Sequence, residues 1–122
     1  MTTETGRTSV DGIWTGEIFG PYGWESSATY VLEGGRIIGG NDRHYSTGKF
    51  KISDDNYNAH VVVHYFGPPR AIFGDKREQF EIKVKGKVRE DIIDAEVVRP
   101  DRPEFGVKYR MTRRMDLPTE KI

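Results

Sequence analysis

Apolar and polar positions alternate with period two along nearly the whole chain, the signature of strands with one face buried. Ile13 to Phe19 opens the pattern and Gly20-Pro21 bounds it. Ser27 to Glu33 follows, with Ala28, Tyr30 and Leu32 on one face. Gly34-Gly35 is a two-residue turn signal before Arg36-Ile37-Ile38. Gly39-Gly40-Asn41-Asp42 reads as a loop or bulge, and His44 to Ile52 and Tyr57 to Phe66 follow it. Gly67-Pro68-Pro69 breaks the sheet, because proline cannot donate to a ladder. Arg77 to Val88 alternates, with Phe80, Ile82 and Val84 inward and Gln79, Glu81, Lys83 and Lys85 outward. Beyond the Glu90-Asp91 turn, Ile93, Ala95 and Val97 share a face. Pro100 to Pro103 reads as a loop, and Phe105, Val107, Tyr109 and Met111 mark a last strand.

These are about eight short strands with short connections and no convincing amphipathic helix. The fold class expected is all-β, a single-domain, eight-stranded, antiparallel up-and-down β-barrel. One apolar face per strand favours closure, which removes exposed edges. A two-sheet sandwich is the alternative. The barrel is expected over residues 11–116, after a disordered lead-in over 1–10 and before a tail over 117–122.

The hairpin around Ser53-Asp54-Asp55-Asn56 specifies its own register. Tyr57, Ala59, Val61, Val63 and Tyr65 form the more apolar face of its second strand, and Phe50 and Ile52 mark the first. Matching apolar to apolar pairs Phe50 with Ala59 and Ile52 with Tyr57, and leaves Asp54-Asp55 at the tip. A slip of one residue would bury Lys49 and Lys51.

Composition narrows the function classes. The 122 residues suffice for one domain with a core. There is no cysteine, hence no disulfide and no thiolate site. The absence of disulfides and of a signal-peptide pattern points to a cytoplasmic protein. No apolar run approaches the length of a spanning helix, so no membrane association is expected. The 19 basic and 19 acidic residues balance to zero, which argues against direct nucleic-acid binding. Arg110, Arg113 and Arg114 are the nearest basic group and read as a solvated strand end.

No reaction is legible. His60 and His64 share a strand face about 13 Å apart, and the register sets His44 on the opposite face, so no metal site is expected. The carboxylate pairs Asp54/Asp55, Glu90/Asp91 and Asp94/Glu96 fall at turns or on outward faces and read as solvated acids. Ser9, Ser26, Ser27, Ser46 and Ser53 carry no nucleophile signature. The glycine pairs precede strands rather than helices, so they are turns and not phosphate loops. No catalytic residue and no cofactor is expected.

Aromatic residues leave a choice open. Trp14, Tyr30, Phe50, Tyr57, Phe80, Phe105 and Tyr109 either pack a filled core or line a barrel holding a small apolar ligand. Trp24 falls at a barrel mouth or a subunit contact. Pro68-Pro69 and Ile72-Phe73-Gly74 form a second apolar loop.

Four segments, in order, carry a resemblance. They are Asp11-Gly12-Ile13-Trp14-Thr15-Gly16, Gly35-Arg36-Ile37-Ile38-Gly39-Gly40-Asn41-Asp42, Tyr45-Ser46-Thr47-Gly48-Lys49-Phe50 and Val61-Val62-Val63-His64-Tyr65. In order and spacing the chain resembles the GrlR family of small bacterial proteins, which includes a negative regulator of type III secretion genes. The resemblance covers about residues 11 to 113. It implies a lipocalin-like barrel, commonly a homodimer, with no catalytic centre. It also implies regulation by protein–protein contact, in which an acidic turn meets a transcriptional activator. The matching positions here are Ser53, Asp54, Asp55 and Asn56, with two acids where the secretion regulator has a longer acidic run.

Overall fold

A computed structural model describes residues 9–67 and 79–118, except the side chains of 102–105. Eight strands follow in order: β1 (Gly12–Gly20), β2 (Gly23–Glu33), β3 (Arg36–Gly40), β4 (His44–Ser53), β5 (Asn56–Tyr65), β6 (Gln79–Arg89), β7 (Ile92–Arg99) and β8 (Arg102–Met115). Each pairs antiparallel with the next, and β1 closes on β8 through Trp14↔Arg113 to Ile18↔Tyr109. Closure excludes the sandwich and leaves no open edge.

The hairpin has the expected register, with Phe50 opposite Ala59, Ile52 opposite Tyr57, and Ser53 opposite Asn56. Asp54 takes φ 57°, a left-handed conformation that Asp tolerates better than most side chains. Glu90 does the same at φ 55° in the β6–β7 turn. Gly34 and Gly35 carry positive φ at both turn positions, which fits a twisted two-residue hairpin.

Three boundaries differ from the sequence reading. β2 begins at Gly23, so Trp24 lies on a strand. Gly39 and Gly40 complete β3, and the turn falls on the residues after them. There Asn41 Oδ1 accepts bonds from the amides of Arg43 (2.7 Å) and His44 (3.0 Å), supplying the reversal that the glycines do not. Only Pro100 and Asp101 separate β7 from β8, so Arg102 and Pro103 belong to the last strand. Pro68-Pro69, Ile72-Phe73-Gly74, most of the lead-in and the last four residues lie outside the described residues.

One apolar face per strand builds the interior. Trp14, Leu32, Tyr57, Ile93, Val97 and Met111 are almost fully buried there. Up-and-down connectivity sorts the turns between two ends. The β2–β3, β4–β5 and β6–β7 turns share one end with Ser9, Val10 and Met115. The β1–β2, β3–β4 and β7–β8 connections lie at the far end. Val10, in the expected lead-in, is buried at the first end, where its carbonyl accepts the Trp14 indole N–H at 2.9 Å.

An arginine packs inside each end of the barrel. Arg113 stacks over Trp14 at 5.0 Å and donates to Asp91 (2.9 Å) and to the Asp11 carbonyl (2.9 Å). Arg99 is fully buried, 5.0 Å above the Phe80 ring, and grips Asp101 through two bonds of 3.1 and 2.7 Å. Arg113 is therefore no solvated strand end. It is in phase with Tyr109 and Met111, and that alternation turns it inward. Arg110 is paired too, with Asp94 at 2.8 Å, and its guanidinium lies 4.6 Å from the Trp24 ring.

Candidate functional site: an acidic barrel end

The acidic turn is held by its neighbours on β6. Lys87 Nζ donates to Asn56 Oδ1 at 2.7 Å and reaches Asp55 Oδ1 at 3.4 Å. The Val88 amide donates to the Asp55 carbonyl at 2.8 Å. Asp54, Asp55 and Ser53 are exposed and Asn56 is half-buried. The Lys87–Asp55 pair is solvated on both sides and adds little to stability, while its ammonium offsets part of the charge at the turn.

The β6–β7 turn brings a second acidic pair to the same end. Asp91 is tied to Arg113. Glu90 is exposed, and neither it nor Asp54 forms an ion pair among the described residues. Between the two turns lies a cleft of about 230 Å³ lined by Asp54, Asp55, Glu90, Ile52, Val88 and Val10, with Ser9 and Arg113 completing it. Three carboxylates thus line the cleft beside apolar Val10, Ile52 and Val88, and the one cation in the lining, Arg113, is itself tied to Asp91. That combination suits a basic side chain with a long aliphatic stem, since stem and charge both find a match.

Sequence reading named Asp54 and Asp55 but set Glu90 aside as a solvated turn acid. The missing signal was available: in an up-and-down barrel, alternate turns share an end. Two acids in one turn and one from the next alternate turn give a denser field than the tip alone.

The interior offers far less room than a carrier needs. Of the aromatic residues expected to line it, Trp14, Tyr30, Phe50, Tyr57, Phe80 and Tyr109 are all buried inside, while the Phe105 side chain lies outside the described residues. Only Tyr30, Tyr57 and Tyr109 among them face the central cavity, which measures about 60 Å³. His44, Ser46 and Tyr65 also line it, and sequence reading assigned none of these three to a ligand site. Pockets for drug-sized ligands run to about 300–1,000 Å³, and a cavity of about 150 Å³ holds benzene.

The mostly apolar lining of the cavity carries a few polar groups. Tyr30 and Tyr109 share a hydroxyl–hydroxyl bond of 2.6 Å. Tyr57 Oη is buried and meets no hydrogen-bonding partner among the described residues. Burial holds all three phenols above their usual pKa, so they stay neutral at physiological pH.

The histidines are dispersed. His44 faces inward against Tyr65, with ring centroids 5.5 Å apart. His60 and His64 face outward, His60 on Glu81 at 2.6 Å and His64 stacked on Tyr45 at 4.8 Å. Among the described residues no three His, Asp or Glu side chains converge as metal ligands. No helix among the described residues is long and apolar enough to cross a membrane. Trp24 faces outward, edge-on to Phe19 at 5.3 Å, beside the fully exposed Tyr22.

No protein-family model matches the chain, and neither does any curated protein.

Proposed function

We propose that this protein is a non-enzymatic regulator that works by protein–protein contact, with the acidic barrel end as its capture surface. The observation that carries the reading is the shared cleft, where Asp54, Asp55 and Glu90 from two turns surround Ile52 and Val88. A basic segment of a protein partner is the occupant that this chemistry favours. The resemblance to the GrlR family supports the same reading and supplies a class of partner, a transcriptional activator that is silenced when held. A lipocalin-like form of the barrel, a cytoplasmic setting and a homodimer are part of the proposal. The exposed Phe19, Tyr22 and Trp24 are the apolar group best suited to a subunit contact.

The rival reading, a carrier of a small apolar ligand, draws no support from an interior void of about 60 Å³. The test is binding of a labelled arginine-rich peptide, measured by fluorescence anisotropy. The variant Asp54→Asn, Asp55→Asn, Glu90→Gln keeps the turns, because Asn suits the left-handed position of Asp54 and Gln matches Glu in size at the left-handed Glu90. It is expected to bind more than tenfold more weakly than the parent, about 1.4 kcal/mol. Equal binding by parent and variant would overturn the proposal.

A further inference from the structure

The zero net charge conceals a second charged surface, on the outside of the barrel. β4, β5 and β6 place their outward residues in cross-strand rows. One row runs Lys49–His60–Lys83 and the next Lys51–Asn58–Lys85. All six side chains are exposed. They line a trough of about 400 Å³ whose walls are the two lysine columns and whose floor is the polar column of β5.

Standard sheet geometry fixes the spacing. Successive lysines on one strand lie about 7 Å apart, and the two lysine columns about 10 Å apart. Among the described residues, none of Lys49, Lys51, Lys83 and Lys85 forms an ion pair. Four like charges held in one patch raise each other's energy, and an anion lying between the columns relieves all four at once.

The trough also limits what the anion is. It is short: Glu81, paired with His60, borders it at one end, and at the other the Ser53–Asn56–Lys87 row leads to the Asp54-Asp55 tip, where Lys87 is paired with Asp55. A long continuous polyanion running out of either end meets carboxylates. Among the described residues the one ring exposed in the trough is the His60 imidazole, which is held on Glu81 at 2.6 Å, so a stacked base there would lie against a carboxylate. An extended peptide fits better. Its alternate side chains repeat at about 7 Å, the same period as the lysine columns. The exposed Asn58 side chain on the floor supplies a donor and an acceptor for a peptide backbone.

We infer that this trough docks a short, extended, acidic segment of a protein partner, with Asp or Glu at alternate positions between the Lys49/Lys51 and Lys83/Lys85 columns. The site is distinct in place and opposite in charge from the acidic end, so the two readings stand or fall separately.

The experiment uses the whole chain and three labelled probes at low ionic strength: a peptide alternating Glu with Ser, its Gln counterpart, and a single-stranded oligonucleotide of equal charge. The acidic peptide alone is expected to bind, and the binding weakens at physiological salt. Lys49→Gln with Lys83→Gln is expected to reduce affinity about tenfold, as two solvated charge contacts would. Lys108→Gln, on β8 outside the trough, leaves it unchanged, and far-UV circular dichroism confirms that both variants fold. The inference is overturned if the acidic peptide does not bind, if its Gln counterpart binds equally, if the double variant binds as well as the parent, or if the oligonucleotide binds at least as tightly as the peptide.

Discussion

Tyr109 lies across the barrel wall from a missing side chain: a Cβ at Gly16 would overlap its hydroxyl and ring carbon. The β1–β8 pairing sets Gly16 opposite Met111 and Ile18 opposite Tyr109, and the phenol fills the gap. That gap lets Tyr109 reach Tyr30 on β2, across the intervening strand β1, at 2.6 Å. Gly16→Ala is expected to destabilise the barrel by about 1–3 kcal/mol, the usual cost of overpacking. In a Tyr109→Leu background the added cost of Gly16→Ala should shrink. Urea unfolding of the four proteins in a double-mutant cycle measures the coupling.

The Tyr57 hydroxyl leads to an asymmetric expectation. It is buried with no partner among the described residues, whereas the Tyr30 hydroxyl has Tyr109. Tyr57→Phe should be neutral or stabilising by up to about 1 kcal/mol, because an unsatisfied buried group is removed. Tyr30→Phe should cost about 1 kcal/mol, since it removes one of the two hydrogen-bond partners of Tyr109, the other being Ser27. A loss of stability in Tyr57→Phe would show instead that water or another molecule satisfies that hydroxyl.

Arg113 ties the chain's beginning to its last strand, through Asp91, the carbonyls of Ser9 and Asp11, and the face of Trp14. Removing it leaves Asp91 and two carbonyls with a lost donor and opens space beside Trp14. Arg113→Ala is expected to cost about 1–3 kcal/mol, from the lost charged hydrogen bonds and the packing over Trp14, since the exposed Asp91 left behind is hydrated. Arg113→Lys should recover little, because one ammonium cannot reproduce the planar fork. Thermal unfolding compares the two.

Asp94 gives a pH dependence. Its hydrogen bonds, the Arg110 guanidinium first and Arg89 beside it, hold the carboxyl below the usual range. A folded pKa below the unfolded one adds stability that is full above the ordinary value of about 3.9. That contribution is lost as pH falls through the lower folded value. The stability gap between the parent and Asp94→Asn should therefore be present at neutral pH and narrow in strong acid. Urea midpoints across that range test it, and a constant gap would contradict it.

Much of the fold was legible because a closed barrel of alternating strands writes its face pattern directly into the chain. The Phe50–Ala59 and Ile52–Tyr57 pairs followed from face matching alone. What was not legible depended on closure or on three strands at once. Glu90 joins Asp54 only after alternate turns are set at one end. Lys49 and Lys83 become neighbours across β5 only when two registers combine. Arg99 and Arg113 were readable in principle, each in phase with the apolar residues of its strand. Charge suggested exposure, but stacking on Phe80 and Trp14 and pairing with Asp101 and Asp91 compensated their burial. The small cavity could not be read at all, since volume depends on how Tyr30, Tyr57 and Tyr109 meet.

The central claim is that the acidic end is the capture surface, and chemical-shift mapping by NMR tests it most directly. An arginine-rich peptide titrated into the isotope-labelled protein should move the amide signals of Asp54, Asp55, Glu90, Ile52 and Val88 first and most. Shifts concentrated on Phe19, Trp24 and the β1–β2 turn, with the acidic end unmoved, would contradict it.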